Sequence, residues 1–267
     1  MSANWPLTAL AHHPAAASAS RIPIRTDTIG LGCGHFDLPV GDETIPTYYA
    51  RPAGPGRFPV VLVVMEIFGL HEYIQDTCRR LAKSGYLAIA PDLLIRQGDV
   101  TQYTEIEPIR QIAYAVPDAQ MCQDLDAAVE WAASGCGEVE RLAVTGFCWG
   151  GRAVWMYAAH RPQLCAGVAW YGKLSGEHTE AMPEYPVDVA SRLNAPVLGL
   201  YGGQDAGIPL DSVEAMQARL GEESASRIIV YPEAEHGFHA DYRASYAPDC
   251  AQEGWREMLR WFQANGV

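Results

Sequence analysis

Apolar residues along this chain recur with two periods, and the alternation between them predicts most of the secondary structure. Val60–Met65 reads VVLVVM, a continuous run of the kind a strand carries when both faces are covered in a parallel sheet. Tyr86–Ala90, Leu142–Thr145, Ala166–Trp170, Pro196–Tyr201 and Ile228–Tyr231 are further runs that predict buried strands. Thr44–Ala50, ahead of the Pro52–Pro59 turn, predicts one strand of an early hairpin that begins near Phe36. Between these runs the apolar positions take helical spacing: Ile74, Cys78 and Leu81 within His71–Lys83, closed by Gly85, and Met121, Leu125, Ala128, Val129 and Ala132 within Pro117–Ala133. Gly151–His160, Asp211–Leu220 and Ala251–Gln263 are the remaining helices, with Asp211 as an N-cap because Glu214 follows at capping-box spacing. No element is predicted in the polar stretch Arg96–Pro108.

Strand and helix alternate from about residue 31 onward, which predicts one α/β domain over 31–267: a doubly wound, mostly parallel sheet with helices on both faces. Residues 1–30, rich in small side chains and without an apolar period, predict a loosely held arm that includes His12 and His13. In such folds the chemistry sits on loops at the carboxyl ends of the strands.

Composition narrows the classes of function. With 49% hydrophobic and 19% charged residues over 267 positions, the chain is neither disordered nor short of core. A formal net charge of −13, with no run of four basic residues, excludes a nucleic-acid footprint and argues against attraction to a membrane surface. The first twenty residues carry no Lys or Arg, and the longest strongly apolar run is Val60–Met65, so neither a signal peptide nor a membrane span is predicted. Seven cysteines, scattered and without a CxxC pair, read as reduced thiols in a cytoplasmic protein rather than as a disulfide framework or a zinc site.

The sharpest chemical feature is Gly146-Phe147-Cys148-Trp149-Gly150-Gly151, set between a predicted strand and a predicted helix. It matches the nucleophile elbow G-x-S-x-G with cysteine in the serine position. A thiol there sits at a helix N-terminus, whose partial positive charge favours a thiolate. A nucleophile needs a base, and the base an orienting carboxylate. Asp205 follows the strand Pro196–Tyr201 and His236 follows Ile228–Tyr231, in the order that the elbow demands. Taken alone, Asp205 would read as an Asx turn before Pro209 and His236 as a surface histidine. His236 and His239 as a metal pair lack a third ligand, so no metal is predicted. Glu66, directly after VVLVVM, is a costly place for a buried carboxylate without a role.

Residues 30–267 resemble the dienelactone hydrolases (carboxymethylenebutenolidases), cysteine members of the α/β-hydrolase superfamily. The resemblance runs through Glu66-Ile67-Phe68-Gly69, Ala90-Pro91-Asp92-Leu93 with Arg96-Gln97, the elbow, Tyr171-Gly172, Gly202-Gly203-Gln204-Asp205 and His236-Gly237-Phe238. It implies a Cys148, Asp205, His236 triad with Glu66 beside the thiol. It also implies an oxyanion hole made by the backbone N–H groups of Ile67 and Trp149. Arg96 resembles the family's substrate-carboxylate arginine, Arg243 stands nearest to its second one, and Tyr171 would line the pocket. The expected activity, without a cofactor, is hydrolysis of a small carboxylated lactone or ester such as 4-carboxymethylenebut-2-en-4-olide, which yields maleylacetate. The segment Glu177–Pro186 is a candidate pocket wall. The alternatives are a general carboxylesterase or lactonase and, in another class, a non-catalytic or thiol redox-sensing protein on the same fold.

Overall fold

The computed structural model describes residues 22–267; of the predicted arm, residues 1–21, with His12 and His13, lie outside the described residues. Eight strands form one sheet: β1 (Leu31–Val40), β2 (Glu43–Pro52), β3 (Phe58–Val64), β4 (Leu87–Pro91), β5 (Gly137–Phe147), β6 (Ala166–Trp170), β7 (Val197–Gly202) and β8 (Arg227–Tyr231). Their spatial order is β1-β2-β4-β3-β5-β6-β7-β8. β1, β2 and β4 pair antiparallel, and every pairing from β4 through β3 to β8 is parallel. Among the described residues the helices are α1 (Glu72–Lys83), α2 (Ile106–Tyr114), α3 (Asp118–Ser134), α4 (Trp149–His160), α5 (Pro186–Val189), α6 (Leu210–Leu220) and α7 (Pro248–Ala264), on both faces of the sheet. α1 packs on β2 and β4, α4 on β5 and β6, and α7 on β6 and β7. Among the described residues no helix is long and apolar enough to cross a membrane.

Register explains why one end of this sheet becomes a site. β3 is fully buried from Val60 to Val64, so its unbroken apolar run has water on neither side. Val64 pairs with Gly146, which brings Glu66 and Ile67 out of the sheet beside Cys148. Phe147 pairs with Trp170, and Trp170 with Leu200, so Tyr171 and then the Gly202–Asp205 turn follow along the same rim. Gly202 pairs with Tyr231, and His236 emerges just beyond.

Four expectations are corrected. The polar stretch Arg96–Pro108 is not free of structure: a 3₁₀ turn spans Val100–Gln102, and α2 begins at Ile106, anchored by buried Ile109 and Ala113. Asp211 does not cap α6. Pro209 holds the N-cap position with an extended backbone, and Asp211 falls in the first turn, where its charge still favours the helix. β8 is not buried like its neighbours; as the sheet's edge it is half-exposed except at Tyr231. Residues 24–29 are tied down rather than loose: the Thr26 N–H donates to Asp76 (2.5 Å), Arg79 Nε donates to the Thr26 carbonyl (3.0 Å), and Lys83 reaches Asp27 (2.7 Å).

Candidate active site

Cys148 follows β5 directly and stands as the N-cap residue of α4, with φ 55° and ψ −113°. That is a strained backbone for a side chain with a Cβ, and such strain persists only where the surroundings hold it. The glycines of the elbow supply the holding. A Cβ on Gly146 would lie 2.3 Å from the Gly150 carbonyl oxygen, and one on Gly150 would lie 2.4 Å from that of Val64. Gly151 meets the Trp170 carbonyl oxygen in the same way, also at 2.4 Å. All three glycines are therefore required by close backbone approach.

The three predicted triad residues meet in space. His236 Nε2 is 3.2 Å from Cys148 Sγ, and His236 Nδ1 is 2.7 Å from Asp205 Oδ2. Asp205 is buried, and its other oxygen accepts from the backbone N–H groups of Gly207 (2.9 Å) and Ile208 (3.1 Å). Two roles that the sequence left as alternatives thus coexist: one oxygen makes the turn and the other holds the imidazole. Burial works against a charge on His236, but the Cys148 sulfur and the Asp205 carboxylate outweigh it, and its pKa is pushed up to about 10. His239 is a core residue. Its Nδ1 is 2.6 Å from the Tyr73 hydroxyl, its ring lies against Phe147, Trp170 and Trp255, and burial holds its pKa well below the usual value.

Glu66 is fully buried at the end of β3, yet it makes no hydrogen bond to the thiol among the described residues. Tyr242 donates its hydroxyl to Oε2 (2.5 Å), Arg243 reaches Oε1 at 3.4 Å, and His71 Nε2 lies 3.8 Å from Oε2. Burial alone would raise its pKa, but His71, Arg243 and Tyr242 together hold the carboxyl down to about 2. It is therefore an ionised group already spoken for, and direct contact with Cys148 would first require its release from Arg243. Tyr242 and His71 were not singled out in the sequence. The former sits beside Arg243, which is the signal that would have found it.

A cavity of about 560 Å³ opens above the thiol. Ile67, Trp149, Tyr171, His236 and Arg243 line it together with Cys148. The N–H of Trp149 is the first of α4 and has no carbonyl one turn back to pair with, as an oxyanion donor requires. Cys148's own N–H is engaged by the Trp170 carbonyl (3.0 Å). Tyr171, at φ 37°, places its buried ring 5.2 Å from that of His236.

Arg96 does not line this cavity. Its guanidinium is bonded to Asp124 and, at 3.3 Å, to Glu43. Asp124 is fully buried on α3, and a buried carboxylate without a partner is costly, so this arginine is committed to the fold. Glu177–Pro186 stays outside the lining as well: Tyr185 lies behind Arg152, whose guanidinium carbon is 4.9 Å from the ring centroid. Among the lining residues that no sequence motif marked, four carry charged or phenolic ends: Arg110 and Tyr114 on α2, Arg152 on α4, and Lys173 just after β6. Lys173 follows Tyr171-Gly172 at a strand's carboxyl end, and Arg152 lies one turn beyond Cys148. Those positions were the available signals.

Comparison with known proteins points one way. A family model described as the dienelactone hydrolase family matches residues 45–266. A Yersinia pestis protein provisionally named a carboxymethylenebutenolidase is 55% identical over 243 residues, 90% of this chain and 91% of that protein. A Bradyrhizobium protein provisionally named a 2-oxo-3-(5-oxofuran-2-ylidene)propanoate lactonase is 30% identical over 88% of this chain and 96% of its own length. The crystal structure of a provisionally named dienelactone hydrolase from Klebsiella pneumoniae superposes with a TM-score of 0.85 at 53% identity, covering 87% of this chain and 98% of that one.

Proposed function

The chain belongs to the dienelactone hydrolase family, and from that premise we propose that it hydrolyses small lactones or esters through a thioester on Cys148. The observation that carries this reading is the unbroken line from thiol to imidazole to carboxylate, at 3.2 Å and then 2.7 Å. The Cys148 sulfur attacks the carbonyl carbon while the N–H groups of Ile67 and Trp149 hold the developing oxyanion. His236, held protonated beside the sulfur and oriented by Asp205, gives its proton to the leaving oxygen. It then takes one from the water that releases the acid, which frees the sulfur and restores the protonated imidazole. Glu66 assists thiol deprotonation when a bound anion draws Arg243 away from it.

An enol or dienol leaving group fits a thiol nucleophile, because a stabilised leaving oxygen is less able than an alkoxide to return and expel the sulfur. A dienelactone opening to maleylacetate has that character. The Bradyrhizobium relative is named for another unsaturated lactone bearing a carboxylate, which supports a carboxylated substrate here. Cationic lining around an otherwise acidic chain supports it too. Iodoacetamide should abolish turnover of a lactone panel in proportion to an adduct that mass spectrometry places on Cys148, and Cys148→Ala should be inactive. Undiminished turnover by Cys148→Ala would end the proposal.

A further inference from the structure

The cavity holds positive charge that the hydrolytic machinery leaves unused. Four arginine and lysine side chains line it, and two are neutralised within the fold: Arg243 by Glu66, and Arg152 by Asp118 at 2.6 Å. Lys173 and Arg110 form no ion pair among the described residues. Lys173 is nonetheless held in place, its Nζ 5.9 Å from the ring centroids of both Tyr114 and Tyr185. Arg110 stands one turn before Tyr114 on α2, so both lie on one face of that helix. Ile106, on the same helix, and Tyr114 are among the chain's most exposed large apolar side chains, and both line the cavity, whose wall is mostly apolar. The volume of about 560 Å³ lies within the range that encloses drug-sized ligands, well above what a single five-membered lactone with a short acid arm fills.

We infer that Lys173 and Arg110 form an anion subsite at the outer wall of the cavity, and that the preferred substrates carry a carboxylate on an apolar stem, remote from the scissile carbonyl. The inference rests on hydrolysis at Cys148 and deepens it. At −13 the whole molecule repels anions at long range, so recognition falls to a local pair of cations. The apolar lining accommodates the stem and the pair receives its charged end.

The test compares p-nitrophenyl hydrogen adipate with its neutral counterpart, p-nitrophenyl methyl adipate, by p-nitrophenolate release. Shorter hemiesters are avoided because their carboxylate attacks their own ester. The hydrogen adipate should be favoured in kcat/KM by about tenfold, the scale of one charge-assisted contact, and the preference should shrink as salt screens the partly exposed pair. Lys173→Met and Arg110→Met should each cut the ratio of the two kcat/KM values several-fold. The double variant should bring it to about one, and Lys173→Arg should keep it. A wild-type ratio of one, or single variants that depress both esters alike, would overturn the subsite. Cys148-dependent turnover without charge preference would sink only this inference, whereas turnover that survives Cys148→Ala would sink the hydrolysis reading beneath it.

Discussion

At the scale of single residues, the decisive quantity is where the protons of the Cys148–His236 pair reside. The His236 imidazole lies between two partners that favour its charged form, and they raise its pKa to about 10 against burial. A histidine raised in this way stabilises the folded state fully below its unfolded value near 6.5. That contribution is lost as pH climbs through the folded value. In an NMR titration His236 should therefore stay protonated through neutral pH and lose its proton only in the alkaline range. The sulfur is the foremost of the groups that raise it, so in Cys148→Ala the titration should move to lower pH while the Asp205 bond persists. Identical titrations in the two proteins would show that thiol and imidazole are not coupled. His236→Ala should lower turnover by about 10²–10⁴-fold, the usual worth of general acid–base help.

Elements, not side chains, aim the Cys148 thiol. The left-handed conformation at Cys148 exists because β5, α4 and β3 approach so closely that only glycine fits around it. Gly150→Ala would drive a methyl group into the Val64 carbonyl, against backbone that has no room to yield. Overpacking of this kind costs about 3 kcal/mol, which should lower Tm by about 6–12 °C in a chain of this size, readable by circular dichroism. A melt unchanged from wild type would mean that the elbow is looser than its contacts imply. These elements were legible in the sequence where burial is uniform: VVLVVM could be little else than a central strand, and the elbow's glycines declared the turn. α2 was not legible, since only Ile109 and Ala113 on it are buried and the rest of its pattern is that of a solvated loop. Arg96 misled for a related reason. Its motif placed it near the site, but the buried charge that claims it, Asp124, lies on α3, a pairing no local pattern announces. Arg243 and Tyr242 converge on Glu66 from more than 170 residues away, and only the folded sheet brings them there.

Across the whole molecule, charge ties the chain's first described segment to the site's supports. Asp76 on α1 receives Thr26, Arg79 and Arg80, and Arg80 also pairs with Asp241, the neighbour of the tyrosine that holds Glu66. Acidic and basic groups inside this cluster are nearly all buried, so each partner lost would leave another charge uncompensated. At the opposite end of the sheet the bracing lies at the surface: Arg227 on β8 pairs with Glu257 on α7 at 2.5 Å, with the arginine half open to water. Cys148 leaves a central strand, but His236 hangs on the loop after β8, a strand with one neighbour in the sheet that lies half open to water. Edge segments open at lower free energy than the core they border. The Cys148–His236 contact should therefore fail before the fold does. On slow heating, esterase activity should vanish a few degrees below the loss of ellipticity, and amides of Ile228–Tyr231 should exchange with deuterium well ahead of those in Val60–Val64. Such a protein, warmed and cooled within that interval, would regain its activity without ever having unfolded.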